Sequence, residues 1–427
     1  MKNKQSSSFI LLFTLSCLSG MAEEPQMVGQ TDTSVDVASS TGFGGPNSVQ
    51  NQQDDDASIT DSLTGVGGLE SYFNWKDQLR EQHGFSYTLD YTSGALAASS
   101  SLSGRDFYAS GALRFYGSWD LIGRESGNTG TFIWKAEHRH GYTTPAYNGA
   151  AADMGYAGAL FGPLSDSGPR LTNLYWKQLF KDGRVELIAG MIDTTDWVDL
   201  YALASPWNGF TNFSFGTGSA TIGVPDDAAL GAYFNAMLTD NFYLITGFAD
   251  ANADSTDPFN GFDTFFNDNE YFKSIELGWT TSQERFYLDN AHVTLWHVDE
   301  RDGAGVSDGW GANFSYSHSI GTKWMYFLRG GYAEDGGSLF QKSISTGTAY
   351  HLSDGISLVG LGLNWSEPNQ DTFGPALHDQ YALELFTRLR LTRNLEVIPN
   401  INLIGNPALN QDKDSVVSFG LRARVFF

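Results

Sequence analysis

From Phe85 to the C-terminus, apolar and polar residues alternate with a period of two in one stretch after another. In 415–427, Val417, Phe419, Leu421, Ala423, Val425 and Phe427 take one set of alternate positions. Ser418, Gly420, Arg422 and Arg424 take the other. In a strand, this period sends the two sets to opposite faces. Phe132, Trp134 and Ala136 oppose Lys135, Glu137 and Arg139 in the same way, and Leu113, Phe115 and Trp119 oppose Arg114. In 377–391, Tyr381, Leu383, Leu385, Leu389 and Leu391 oppose Glu384, Arg388 and Arg390. An apolar row backed by arginine and glutamate suits a strand with lipid on one face and water on the other. The segment 415–427 runs to an aromatic last residue, so the C-terminus is expected to belong to a closed sheet.

About sixteen such stretches occur, an even number as bacterial barrels require, each roughly ten residues long. They fall at 85–93, 106–120, 131–140, 170–180, 184–192, 229–238, 241–250, 270–280, 286–298, 309–318, 323–333, 342–351, 355–365, 377–391, 395–403 and 415–427. The gaps between them are asymmetric. Tight connections such as Asp182-Gly183, Thr239-Asp240 and Thr392-Arg393-Asn394 alternate with long ones at 141–169, 193–228, 251–269 and 366–376. Short periplasmic turns and long external loops are a property of outer-membrane barrels, and a soluble sandwich has no reason to obey it. The pattern therefore predicts an all-β fold, a transmembrane antiparallel barrel in the outer membrane of a Gram-negative bacterium, with outer-membrane lipid as its surroundings.

The N-terminal region reads differently. Lys2 and Lys4, the apolar run Phe9 to Leu15 and Ser19-Gly20-Met21-Ala22 have the form of a secretory signal cleaved after Ala22, giving a signal peptide at 1–22. Cys17, the sole cysteine, lies inside it, with Thr14 where a lipobox takes an aliphatic residue. Residues 23–64 are rich in Ser, Thr, Gln, Gly and Asp, include Asp54-Asp55-Asp56 and contain no Lys or Arg. Such a segment buries too little apolar surface to offset its ordering entropy, so disorder on the periplasmic side is expected. The barrel domain spans 65–427 and opens with a short amphipathic helix at 68–83, with Leu69, Phe73, Trp75 and Leu79, placed against the barrel mouth.

Composition narrows the function. A net charge of −24 argues against nucleic acid as a partner. Mean hydropathy is −0.26, and no run of about twenty apolar residues marks a helical span. Aromatics at 14% together with 48 glycines suit interfacial girdles and a polar interior. The chain has no H-E-x-x-H, P-loop or G-x-S-x-G motif, and no cofactor, metal or catalytic role is expected. Alternation places His138 and His140 on the face away from the lumen. Asp250, Asn252 and Asp254 start like a calcium loop, but Ser255 and Gly261 stand where its glycine and glutamate belong.

The charged faces define the candidate pore lining: Arg114, Lys135, Glu137, Arg139, Glu384, Arg388, Arg390, Arg422 and Arg424. A charge on the lipid face costs roughly 2–4 kcal/mol near the midplane, so these residues belong inside. There they brace the wall, line the solute path, or do both. Arginine and glutamate present donor and acceptor forks that match sugar hydroxyls, whereas a purely cationic lining favours anions. The longest loop, 193–228, is the candidate constriction, with Trp197, Tyr201, Trp207 and Phe210 either stacking on sugar C–H faces or packing the loop against the wall.

Three regions resemble the OprB-type carbohydrate-selective porins. One is FNWKDQLREQHGF, leading into a strand with Tyr91. Another is the stretch Gly190-Met191-Ile192-Asp193, the loop GFTNFSFG and Ala229-Leu230-Gly231. The third is the closing set Glu396-Val397-Ile398-Pro399-Asn400, Gly405-Asn406-Pro407, Gly420-Leu421-Arg422 and Phe427. The family's Gly-Asp-Trp-Gly-Gly-like opening is replaced by Gly65-Val66-Gly67-Gly68. The resemblance implies passive diffusion of small carbohydrates through a constriction lined by arginine and glutamate, in a monomer or homotrimer. The barrel assembly machinery would read the strand ending in Phe427. A general or mildly anion-preferring porin for small hydrophilic solutes is the alternative.

Overall fold

The computed structural model describes residues 42–57, 69–352 and 357–427. The expected signal peptide at 1–22, and 23–41 and 58–64 of the expected disordered segment, lie outside the described residues. Among the described residues, sixteen strands form one closed sheet. They are β1 (Phe85–Ala98), β2 (Phe107–Ile122), β3 (Gly130–Gly141), β4 (Gly168–Phe180), β5 (Val185–Ile192), β6 (Ala229–Met237), β7 (Phe242–Asp250) and β8 (Tyr271–Thr280). The second half comprises β9 (Asn290–Val298), β10 (Gly309–Ile320), β11 (Trp324–Asp335), β12 (Phe340–His351), β13 (Leu358–Pro368), β14 (Gln380–Thr392), β15 (Leu395–Gly405) and β16 (Ser415–Phe426).

Each strand pairs antiparallel with its sequence neighbours, and β1 closes on β16 with Tyr91 opposite Val425. Phe427 adds one more rung beyond β16. Its N–H donates to the Leu89 carbonyl at 2.9 Å, and the Leu89 N–H donates back at 3.0 Å. Closure removes every sheet edge, so backbone donors and acceptors meet inside the hydrocarbon region without water. Several strand bounds differ from the expected ones: β1 runs on to Ala98 rather than 93, β13 spans Leu358–Pro368 rather than 355–365, and β14 begins at Gln380 rather than 377. β9 begins at Asn290 rather than at 286, because Phe286 turns inward and packs on Tyr243 at 4.5 Å instead of continuing the ladder.

Burial runs opposite to that of a soluble protein. Phe419 and Leu421 are 60% and 52% exposed on the outer surface, while Arg422 and Arg424, on the opposite face of the same strand, are 1% and 3% exposed. Aromatics gather at the end that carries the tight turns, where Phe85 stacks on Trp134 at 5.5 Å and Trp324 on Tyr326 at 6.1 Å. Rings at that depth span the lipid–water boundary. In an outer-membrane barrel the short-turn end is the periplasmic one.

The hydrophobic core lies inside the barrel. The β5–β6 connection folds into the lumen, and Tyr201, Phe210 and Phe215 pack on Phe327 and Phe386 of the wall. The β3–β4 connection brings Tyr147, Phe161 and Leu164 against the opposite side. Glycines on the inner face make room for them. A side-chain carbon on Gly362 would come within 2.7 Å of the Phe215 ring, and one on Gly94 within 2.3 Å of Leu164.

Among the described residues, two helices precede β1. Helix α2 (Glu70–His83) covers most of the expected 68–83 and ends at Gly84, whose φ of 66° supplies the left-handed cap. It buries no residue fully and touches the periplasmic rim: the Tyr72 and Tyr87 hydroxyls are 3.1 Å apart, and the Arg393 guanidinium lies 4.2 Å from the Phe73 ring. Helix α1 (Val49–Ala57) falls within the span expected to be disordered. There the composition argument fails, because it weighs apolar burial alone. The acidic residues of α1 are instead met by arginines of the lumen.

Candidate pore and constriction

Three groups of inward-facing charges stand out along the lumen. The first anchors the β5–β6 loop. Glu384 on β14 accepts hydrogen bonds from the Thr211 and Asn212 amides at 2.8 Å each, and from Thr211 Oγ1 at 2.8 Å. Arg422 on β16 donates to the carbonyls of Pro206 at 2.5 Å and Gly209 at 2.7 Å. On the other side, Arg329 of β11 donates to the carbonyls of Gly216 at 2.7 Å and Asp199 at 2.8 Å. Asp199 itself is held by the Gly218 amide at 2.7 Å and by His292 Nε2 at 2.8 Å. These bonds satisfy a loop backbone that water cannot reach, and they fix where the loop sits in the lumen.

The second group occupies the periplasmic half. Arg114 pairs with Asp90 through Nε at 2.8 Å and lies flat on the Trp207 ring at 3.6 Å. Arg424 donates to Asp90 at 2.7 Å and to both oxygens of Asp56 at 2.8 Å. Arg388 binds Glu396 at 2.6 Å and also Asp55, while Arg390 Nη2 reaches Asp55 at 2.6 Å. Two-pronged pairs of this kind are the strong form of the arginine–carboxylate contact.

The third group opens toward the external mouth around a cavity of about 550 Å³. Lys135, Glu137 and Arg139 of β3 line it with Arg170, Asp193, Asp226 and Asp227, facing Phe161, Trp207, Phe210 and Phe213. Arg139 Nη2 lies 2.6 Å from Glu137 and 3.2 Å from Asp227, and Arg170 lies 2.8 Å from Asp226 and 2.9 Å from Asp227. Burial, and then the like charge of Asp193, pushes the Asp227 carboxyl up to about 7. Asp193 is raised to about 6 by burial and by Asp196.

The candidate residues thus divide. Lys135, Glu137, Arg139, Trp207 and Phe210 meet at the cavity. Glu384 and Arg422 bind the loop, and Arg114, Arg388, Arg390 and Arg424 engage acids of the wall and of α1. Trp197 packs among Tyr175 and Tyr233, and Tyr201 sits under Arg329 at 4.1 Å. His140 turns outward to the Tyr91 hydroxyl at 3.0 Å. Reading the sequence missed Arg329, although Tyr326 and Leu328 alternate against it. It also missed Arg170, Asp226 and Asp227, whose meeting depends on how the β5–β6 loop returns past the start of β4.

A closed barrel of sixteen antiparallel strands, narrowed by an inserted loop and lined by charge, defines an outer-membrane porin. The family model for the carbohydrate-selective porins, OprB family, matches residues 60–427, and the chain belongs to that family. Among solved structures it is similar to Pseudomonas putida OprB in its high-pH form. There the TM-score is 0.66 at 15% identity, covering 86% of this chain and 100% of that one. The low-pH form gives 0.50 at 14% identity with the same coverage. A Rh. blastica porin mutant gives 0.50 at 12%, covering 80% of this chain and 100% of that one. At these identities the structural likeness speaks for the fold. No curated protein sequence matches the chain.

Proposed function

We propose that this porin passes small neutral carbohydrates down their gradient, with the cavity at the external side as the selective step. The observation that carries the reading is the make-up of its walls. The half-buried Phe213 ring lines one side with the buried Trp207, Phe210 and Phe161 behind it, and facing them are Lys135, Arg139 and Arg170 interleaved with Glu137, Asp226 and Asp227. A sugar ring has C–H faces that lie on aromatic rings and a rim of hydroxyls that donate and accept. Close alternation of cations and acids meets that rim while leaving little net field for ions. At about 550 Å³ the space suits a mono- or disaccharide, in the range of small-molecule sites. The porin family model, described as carbohydrate-selective, supports the same reading.

The test is reconstitution in planar bilayers with sugars titrated against the ion current. Uncharged sugars should block at concentrations where glycerol does not. Phe213→Ala should weaken that block by about 2- to 10-fold, since one aromatic face contributes roughly 0.5–1.5 kcal/mol. A current insensitive to sugars, in wild type and variant alike, would favour a general pore for small hydrophilic solutes.

A further inference from the structure

Residues 42–57 cross the lumen, and nothing in a porin wall requires them. On one side Asp55 and Asp56 dock on Arg388 and Arg390 of β14 and Arg424 of β16, and Gln52 accepts from Arg114 of β2 at 3.1 Å. Halfway round the ring, the Phe43 ring meets Phe286 at 5.6 Å and Asn51 donates to the Tyr287 hydroxyl at 3.3 Å, both on the β8–β9 connection. Above, the Gly45 amide donates to the Asp196 carbonyl of the constriction loop at 2.7 Å. The segment therefore touches opposite walls and the loop, within the periplasmic half of the pore. Phe43 and Val49 are fully buried.

Helix α1 does not hold itself together. It has nine residues, too few to be stable alone, and its acids gather at the C-terminal end, where the helix dipole disfavours them. Its order comes from docking. The contact is also accessible, because the Asp55 side chain is 36% exposed. The family match begins at residue 60, after α1, and the barrel closes through β1 and β16 without it.

We propose that residues 42–57 form an acidic plug in the periplasmic half of the pore, docked on Arg388, Arg390 and Arg424, and that solute passes when the plug undocks. This rests on the pore reading above. It assigns these arginines a second role: they hold the closed state through charge that salt can screen.

The test compares the full mature chain with a variant lacking residues 42–57 in planar bilayers. The intact channel should show a low conductance with brief excursions, more frequent at high salt. The deletion should hold the upper level steadily, several-fold higher. A synthetic peptide of residues 42–57 should restore the low level when added from the periplasmic side only. Should the deletion not assemble, the Asp55→Asn, Asp56→Asn variant keeps the helix and decides the matter, with openings to the upper level that are frequent at low salt. Equal, steady conductance with and without the plug or its charges overturns the plug alone. Silent membranes with every variant overturn the pore reading beneath it.

Discussion

Glu384 offers the sharpest test of how the constriction is held. It lies on β14 among lumen-facing residues and carries the tip of the β5–β6 loop on its carboxylate. Glu384→Ala leaves the Thr211 and Asn212 amides without an acceptor in a place that water does not reach. An orphaned buried donor costs about 1–3 kcal/mol, so the docked loop loses about 2–6 kcal/mol relative to the undocked one. Each 1.4 kcal/mol is tenfold, so the undocked population rises about 30-fold or more. Arg422 and Arg329 still hold the flanks, so the tip moves while the ends of the loop stay in place. Glu384→Gln keeps one acceptor oxygen and should lose about half as much. In single-channel recordings the alanine variant should show larger and noisier current with weaker sugar block. Heat-modifiable gel mobility should not change, because no strand pairing is touched. A Glu384→Ala channel with wild-type conductance, noise and sugar block would refute the claim that this carboxylate sets the constriction.

Acidification should move ion preference toward anions. Asp227 and Asp193, raised to about 7 and about 6, lose charge as pH falls from 8 to 5, which tips the balance of charge at the cavity toward positive. Because the folded-state values are raised, the ionised forms are the costly ones, and that cost is relieved as pH drops through them. Reversal potentials in a salt gradient would show the shift, Asp227→Asn should remove its upper part, and a potential independent of pH would count against the assignment. Deleting Phe427 removes two backbone hydrogen bonds at the β1–β16 seam. At about 0.5–1.5 kcal/mol net for each, the loss should lower the yield of folded barrel in detergent refolding without altering the conductance of the molecules that do fold.

The strands and their faces were legible because alternation is local. A residue two positions along the chain returns to the same face whatever the rest of the molecule does. Hence Arg388, Arg390, Arg422 and Arg424 could be placed inside from their neighbours Leu389, Leu391, Leu421 and Ala423. The closing partner of the last strand was legible too, since consecutive antiparallel pairing leaves only β1 to complete the ring. Local reading failed at Phe286, whose apolar side chain fits a strand but serves the lumen. It failed again at Asp55, where composition pointed to a solvated tail.

Period and turn length alone thus determined a sixteen-stranded porin barrel, its compartment and the charges turned to its lumen. The tertiary structure decided what each inward charge does. Arg390 meets Asp55 across 335 positions of sequence, and Glu384 meets Thr211 across 173. Alternation can send a guanidinium or carboxylate inward but carries no information about which distant segment arrives there. That choice is made by ion pairing and desolvation inside the closed ring, once two loops and α1 have entered it.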